Sequence, residues 1–201
     1  MMLLFSAIVV SAQKTSGCDV SSAKLALPPG IGIPGGVKPQ YIALGFGTQN
    51  YTCSSAGAYT AAGAVADLVD LSCAYTANRD LFDNSETYAY TLYPRWQLVQ
   101  QALDPYTRII GKHYFITENG SIAPKFDFAQ SGKGYIVSKK IGGVASPKGS
   151  KNVDWLELQN TSGSLSKYVF RVDTVGGQPP ASCRPGQTLA VKYAAKYWFF
   201  G

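Results

Sequence analysis

The chain has 201 residues, including 21 Gly, 11 Pro, 13 Tyr and 9 Phe, and only 15% of its side chains are charged. That length fits one domain, and the composition excludes a helical bundle in favour of many short strands joined by tight turns. The net charge of +6 comes from 18 Lys and Arg against 12 Asp and Glu. Most of the excess is Lys112, Lys125, Lys133, Lys139, Lys140, Lys148 and Lys151, set against Glu118 and Asp127. Such a region would attract an anionic partner, an acidic or cell-wall polysaccharide or a lipid headgroup, or else would keep hairpin edges from pairing.

In chain order, residues 1–12 carry an apolar run (Leu3, Leu4, Phe5, Ala7, Ile8, Val9, Val10) and the small-residue site Val10-Ser11-Ala12. This is the pattern of a signal peptide cleaved before Gln13, and it is too short for a transmembrane span of about 20 residues. Its short length and missing basic flank point to a start internal to the natural one. Residues 13–201 are then a single secreted, extracellular domain, for which nucleic acid is excluded as a partner. The prolines between Leu25 and Gly36 predict an extended surface segment. Tyr41 to Leu44 reads as a strand that breaks at Gly45 and Gly47 and restarts toward Cys53, with the glycines bending a core strand as a bulge. The Ala-rich run from Ala56 to Leu71 fits a short helix as well as a strand.

Residues 80–91 read as loop. Pro94 to Pro105 predicts a helix, with Pro94 in its first turn, Pro105 as its stop and Trp96, Val99 and Leu103 on one face. Strands follow at Lys112 to Thr117, Lys125 to Gln130, Tyr135 to Ile141, Asp154 to Gln159, Tyr168 to Val175 and Val191 to Phe200. The last places Val191, Tyr193, Ala195, Tyr197 and Phe199 on one face and Lys192 and Lys196 opposite. The expected fold is an all-β antiparallel sandwich or barrel with one or two short helices.

Chemistry is sparse. Gly45-Phe46-Gly47-Thr48-Gln49-Asn50 has the outline of a dinucleotide loop, yet Asn50 stands where the third glycine belongs and no helix follows, so no nucleotide cofactor is expected. His113 is the sole histidine. A hydrolytic triad would need a Ser and a carboxylate beside it, and no G-x-S-x-G elbow supplies the Ser. No catalytic residue is assigned. The alternatives for His113 are a hydrolase or metal-dependent centre, or a hydrogen-bonded imidazole at a strand end. With one His and no C-x-x-C spacing, zinc is disfavoured. Tyr51, Tyr114, Asp154 and Trp155, with Trp198, would line a sugar-stacking cleft or else fill the core.

Four cysteines, Cys18, Cys53, Cys73 and Cys183, imply two disulfides in an exported chain, with three connectivities open. Sequons at Asn50, Asn119 and Asn160 fit export. Asn119 and Asn160 sit in turn-like contexts, and Asn50 sits in a strand that hinders attachment.

Gly45-x-Gly47-x-Gln49-Asn50-Tyr51-x-Cys53, Gly111-Lys112-His113-Tyr114-Phe115, Asp154-Trp155-Leu156-x-Leu158, Arg171-Val172-x-Thr174-x-Gly176-Gly177 with Pro180 and Cys183, and Tyr193-x-Ala195-x-Tyr197-Trp198-Phe199-Phe200 follow one another in the chain. In order and spacing, from about residue 25 to 201, they resemble the secreted domain-of-unknown-function family 3455. Fungal members of that family are often labelled malate dehydrogenase, an activity this sequence rejects because it offers no nucleotide-binding parallel frame. The resemblance implies an all-β extracellular domain of unassigned activity, and a Cys53–Cys183 bridge with Cys18–Cys73 beside it. The expectation is a secreted, non-enzymatic binding protein acting at a cell wall or host surface. A secreted hydrolase or metal-dependent enzyme using His113 is the rival.

Overall fold

A computed structural model describes residues 18–95, 109–118 and 120–201. Its strands are β1 (Pro39–Cys53), β2 (Tyr59–Asp70), β3 (Ile109–Glu118), β4 (Ser121–Asp127), β5 (Tyr135–Val144), β6 (Trp155–Gly163), β7 (Tyr168–Gly176) and β8 (Thr188–Phe200). Each pairs antiparallel with the next, and β8 returns to β1, so the sheet closes into a barrel. Closure leaves short ladders at two seams, between β2 and β3 (Ala66 to Val69 of β2) and between β4 and β5 (Tyr135 to Val137 of β5). Lys139 and Lys140 lie beyond the described β4–β5 ladder, a position where charge discourages edge pairing. An all-antiparallel barrel also contains no βαβ crossover of the kind a dinucleotide site requires.

The pleat sorts side chains into two cores. Tyr193, Ala195, Tyr197 and Phe199 of β8 point into the barrel, where they meet Ala43, Leu68, Phe126, Phe128, Ile136 and Val169. Ala194, Trp198 and Phe200 point outward into a second core with Ile42, Leu44, Phe46, Phe170 and Val172. That outer core is covered by the segment before β1, through Val20, Ala23 and Ile31, and by two helices, α1 (Ser72–Ala77) and α2 (Arg79–Leu92), through Ala74, Phe82 and Ala89. Strands β1 and β8 are consequently buried on both faces over most of their length.

Gly45 and Gly47 do not form the expected bulge. Their register with β8 runs unbroken from Tyr41↔Phe199 to Thr52↔Thr188, and the shift against β2 comes only between Asn50 and Tyr51. The glycines are needed for space instead. A Cβ at Gly45 would overlap the Tyr197 ring, and one at Gly47 would overlap the backbone of Val65 and Ala66. The Ala-rich run is strand β2, with Ala64, Ala66 and Leu68 inside the barrel.

Residues 80–91 are helical, against the loop expected of them. Asn78 caps the helix by accepting from the Leu81 amide, Asp80 lies in the first turn, and Phe82, Ser85, Glu86 and Ala89 form the buried face. A carboxylate on that face hid the apolar period. Its partner is Lys196, which is only 2% exposed, although the alternation in β8 had set it on a face with Lys192. Lys196 Nζ donates to Glu86 Oε2 (2.5 Å) and to Asp173 Oδ2 (3.2 Å), and Lys148 Nζ donates to Glu86 Oε1 (2.7 Å). The helix expected over Pro94 to Pro105 lies, beyond Arg95, outside the described residues. Tyr93–Arg95 form a single 3₁₀ turn.

Candidate functional site

One end of the barrel is filled. Phe126, Phe128 and Phe199 meet edge to face at 5.1 to 5.5 Å, and Tyr41 caps Phe128. Toward the other end, where the β1–β2, β3–β4, β5–β6 and β7–β8 connections gather, the interior opens into a cavity of about 550 Å³. Phe115, Ile122, Leu156 and Leu158 supply its apolar wall, and Gln49, Tyr51, Ser138 and Arg171 supply its polar groups. Glu118, Lys139, Lys140 and Asp154 also line it.

Arg171 faces inward because it alternates with Val169 on β7, and it is 9% exposed. Its Nε and Nη2 both donate to the Asp154 carbonyl (3.1 and 2.9 Å), and Nη1 donates to Gln49 Oε1 (3.3 Å). Gln49 is held in turn by donating from Nε2 to the Gly63 carbonyl (2.6 Å). The Tyr197 hydroxyl adjoins the guanidinium and shares a 2.9 Å hydrogen bond with Tyr193. Burial pushes both phenols up, so they stay protonated. Tyr51 donates to the Gly177 carbonyl (2.7 Å), and burial raises it to about 12. Among the described residues the ion pairs are Arg79–Asp83, Lys125–Asp127, Lys148–Glu86, Lys196–Glu86 and Lys196–Asp173. None involves Arg171.

Of the aromatic and acidic candidates, the cavity gathers Tyr51 and Asp154. Tyr114 lies outside the barrel wall, donating to Asp127 Oδ2 (2.9 Å) beside Lys125, whose ammonium sits over the Tyr114 and Tyr135 rings. Trp155 and Trp198 are buried in the outer core, Trp198 edge-on to Tyr75 and Phe82. Sequence reading missed Arg171, Gln49, Ser138 and Phe115. An isolated Arg at an inward position of the apolar run Tyr168 to Val175 was the available signal.

His113 is 3% exposed and stacks on Phe126 at a centroid distance of 4.2 Å. Its Nδ1 is engaged with the Lys125 carbonyl (2.9 Å) and is therefore read as the protonated, donating nitrogen. Its described contacts are thus rings and a carbonyl, the environment of a structural imidazole. Desolvation lowers its pKa from 6.5 to about 4, the Arg171 charge pushes the same way, and the carbonyl bond opposes. Between those values the unfolded chain binds the extra proton, so stability falls as the pH drops from 6.5 toward 4. The expected loss is roughly 3 kcal/mol at most. Urea denaturation across pH 4 to 8 should show this slope in the wild type and lose it in His113→Asn; an unchanged slope in the variant would refute the assignment. No cluster of three or more His, Cys, Asp or Glu suited to a metal occurs among the described residues.

Both implied disulfides are present. Cys53–Cys183 ties the end of β1 to the β7–β8 connection beside the cavity, and Cys18–Cys73 ties the leading segment to α1. Of the sequons, Asn160 spends its Nδ2 on the Gly163 and Ser166 carbonyls (3.0 and 2.6 Å), bonds that a glycan would displace. The Asn50 side chain accepts from Thr48 within β1, and Asn119 lies outside the described residues.

No curated protein and no solved structure matches the chain. The family model described as a protein of unknown function (DUF3455) matches residues 34–201, which span the eight described strands, the described helices α1 and α2 and the cavity, and the chain belongs to that family.

Proposed function

We propose that this is a non-enzymatic binding protein that takes one small amphipathic organic molecule into the open end of its barrel. The observation that carries this reading is the cavity: about 550 Å³, within the range of small-molecule sites, with an apolar wall and a few converging polar groups. A blind cavity of this kind suits a compact molecule or a chain end better than a running polysaccharide. Two disulfides favour an oxidising compartment, and no helix among the described residues is long and apolar enough to cross a membrane. Secretion, with a role at a cell wall or host surface, fits these features.

The uncharged dye N-phenyl-1-naphthylamine is expected to bind the native, disulfide-bonded protein one to one, with enhanced fluorescence. Ala61 lines the cavity and sits opposite Tyr51 on the same face of the sheet, so Ala61→Trp should plug it and weaken binding at least roughly tenfold, a cost of about 1.4 kcal/mol, with the midpoint of thermal unfolding kept. Undiminished dye binding in a folded Ala61→Trp protein would contradict the reading.

A further inference from the structure

A buried guanidinium is costly to desolvate unless an anion pairs with it, and Arg groups held without one are poised to receive it. Arg171 meets that description: its described hydrogen bonds go to a carbonyl and an amide oxygen, its further neighbour is the neutral Tyr197 hydroxyl, and no carboxylate among the described residues lies in ion-pair contact with it. Those bonds use three of its five N–H groups. They also fix the planar fork in place, because Gln49 is itself locked to the Gly63 carbonyl. A fork immobilised before the ligand arrives loses little freedom on binding.

We propose that Arg171 is the anchor for a carboxylate, and that the ligand class is an amphipathic monocarboxylate whose apolar body lies along Phe115, Leu156 and Leu158. This rests on the binding reading above and names its ligand. The charge around the cavity bounds the class further. Lys139 and Lys140, exposed along its lining, add positive potential that steers an anion inward. Asp154 and Glu118 line the same cavity and oppose a second negative charge, so a monoanion is preferred over a dianion such as a phosphate monoester.

The test is calorimetric titration of the intact disulfide-bonded protein with 4-phenylbutyrate and with its neutral counterpart 4-phenylbutanol, at one ionic strength. The acid should bind at least roughly tenfold more tightly, as expected for a charge-assisted Arg–carboxylate pair. Arg171→Gln should abolish the preference for acid over alcohol. Because that substitution also removes bonds that hold the barrel wall, Asp154→Asn provides a second test: relieving the opposing charge should strengthen acid binding several-fold. Equal affinity for acid and alcohol in the wild type would overturn the anchor and leave the cavity reading intact. So would Asp154→Asn weakening the acid. If neither compound binds while the neutral dye does, the carboxylate class is wrong; if the dye fails as well, the binding reading falls with it.

Discussion

Glu86→Gln should lower the stability of the protein by roughly 3 kcal/mol, the lower end of the cost of removing one partner from a buried ion pair. Lys196 is 2% exposed and Glu86 is 1% exposed, so the ammonium left behind cannot recover its hydration. It keeps Asp173 Oδ2 at 3.2 Å and the Asp83 carbonyl at 3.3 Å, which is why the loss sits at that lower end. The Lys148 arm is more exposed and contributes little. For a domain of this size the midpoint of thermal unfolding should fall by about 10 °C. Replacing the pair together, Glu86→Leu with Lys196→Met, should restore most of the loss, because apolar packing of similar volume avoids desolvating two charges. A single-variant loss below about 1 kcal/mol, within the range of surface pairs, would show that the pair is not closed off from water.

Removing the Cys53–Cys183 bridge should cost a comparable amount. It spans 130 residues, and on the chain-entropy model closing so long a loop stabilises by up to about 5 kcal/mol. The bridge also restrains the β7–β8 connection beside the cavity: the Cys183 amide donates to the Gly57 carbonyl and the Gly186 amide donates to the Cys53 carbonyl (both 3.0 Å). The Cys53→Ser, Cys183→Ser double variant should therefore lose ligand affinity as well as stability. Cys18→Ser with Cys73→Ser, remote from the cavity, should lose stability alone. Equal effects of the two double variants on dye binding would argue against a role for the first bridge at the site.

The β class was legible in this sequence, because turn chemistry and alternation are local signals, and so were most strand positions from β3 onward. What the sequence hid is long-range. Lys196 looks solvated from its alternation with Lys192, and only α2, some 110 residues earlier, turns it into a core residue. Residues 80–91 look like loop because Glu86 occupies the buried face, where a polar residue breaks the apolar period. Gly45 and Gly47 look like a bend because a strand glycine often marks one, whereas here they make room for the Tyr197 ring and for the close β2 backbone. The cavity escaped notice for the same reason. Gln49, Ser138 and Arg171 come from β1, β5 and β7 and converge only once the barrel closes. Tyr51 and Asp154, chosen for residue type, line the cavity, while Tyr114 and Trp155, chosen on the same grounds, fall on the other side of the wall.

If the open end of the barrel holds the ligand, the backbone amides around it must respond to binding. The most direct measurement is a two-dimensional amide NMR titration of the disulfide-bonded protein with 4-phenylbutyrate. Saturable shifts should concentrate at Gln49, Phe115, Ser138, Leu158 and Arg171 and spare α2 and the outer face of β8. Shifts centred on α2 or on the Tyr114–Lys125–Tyr135 surface, with the cavity residues unmoved, would contradict it.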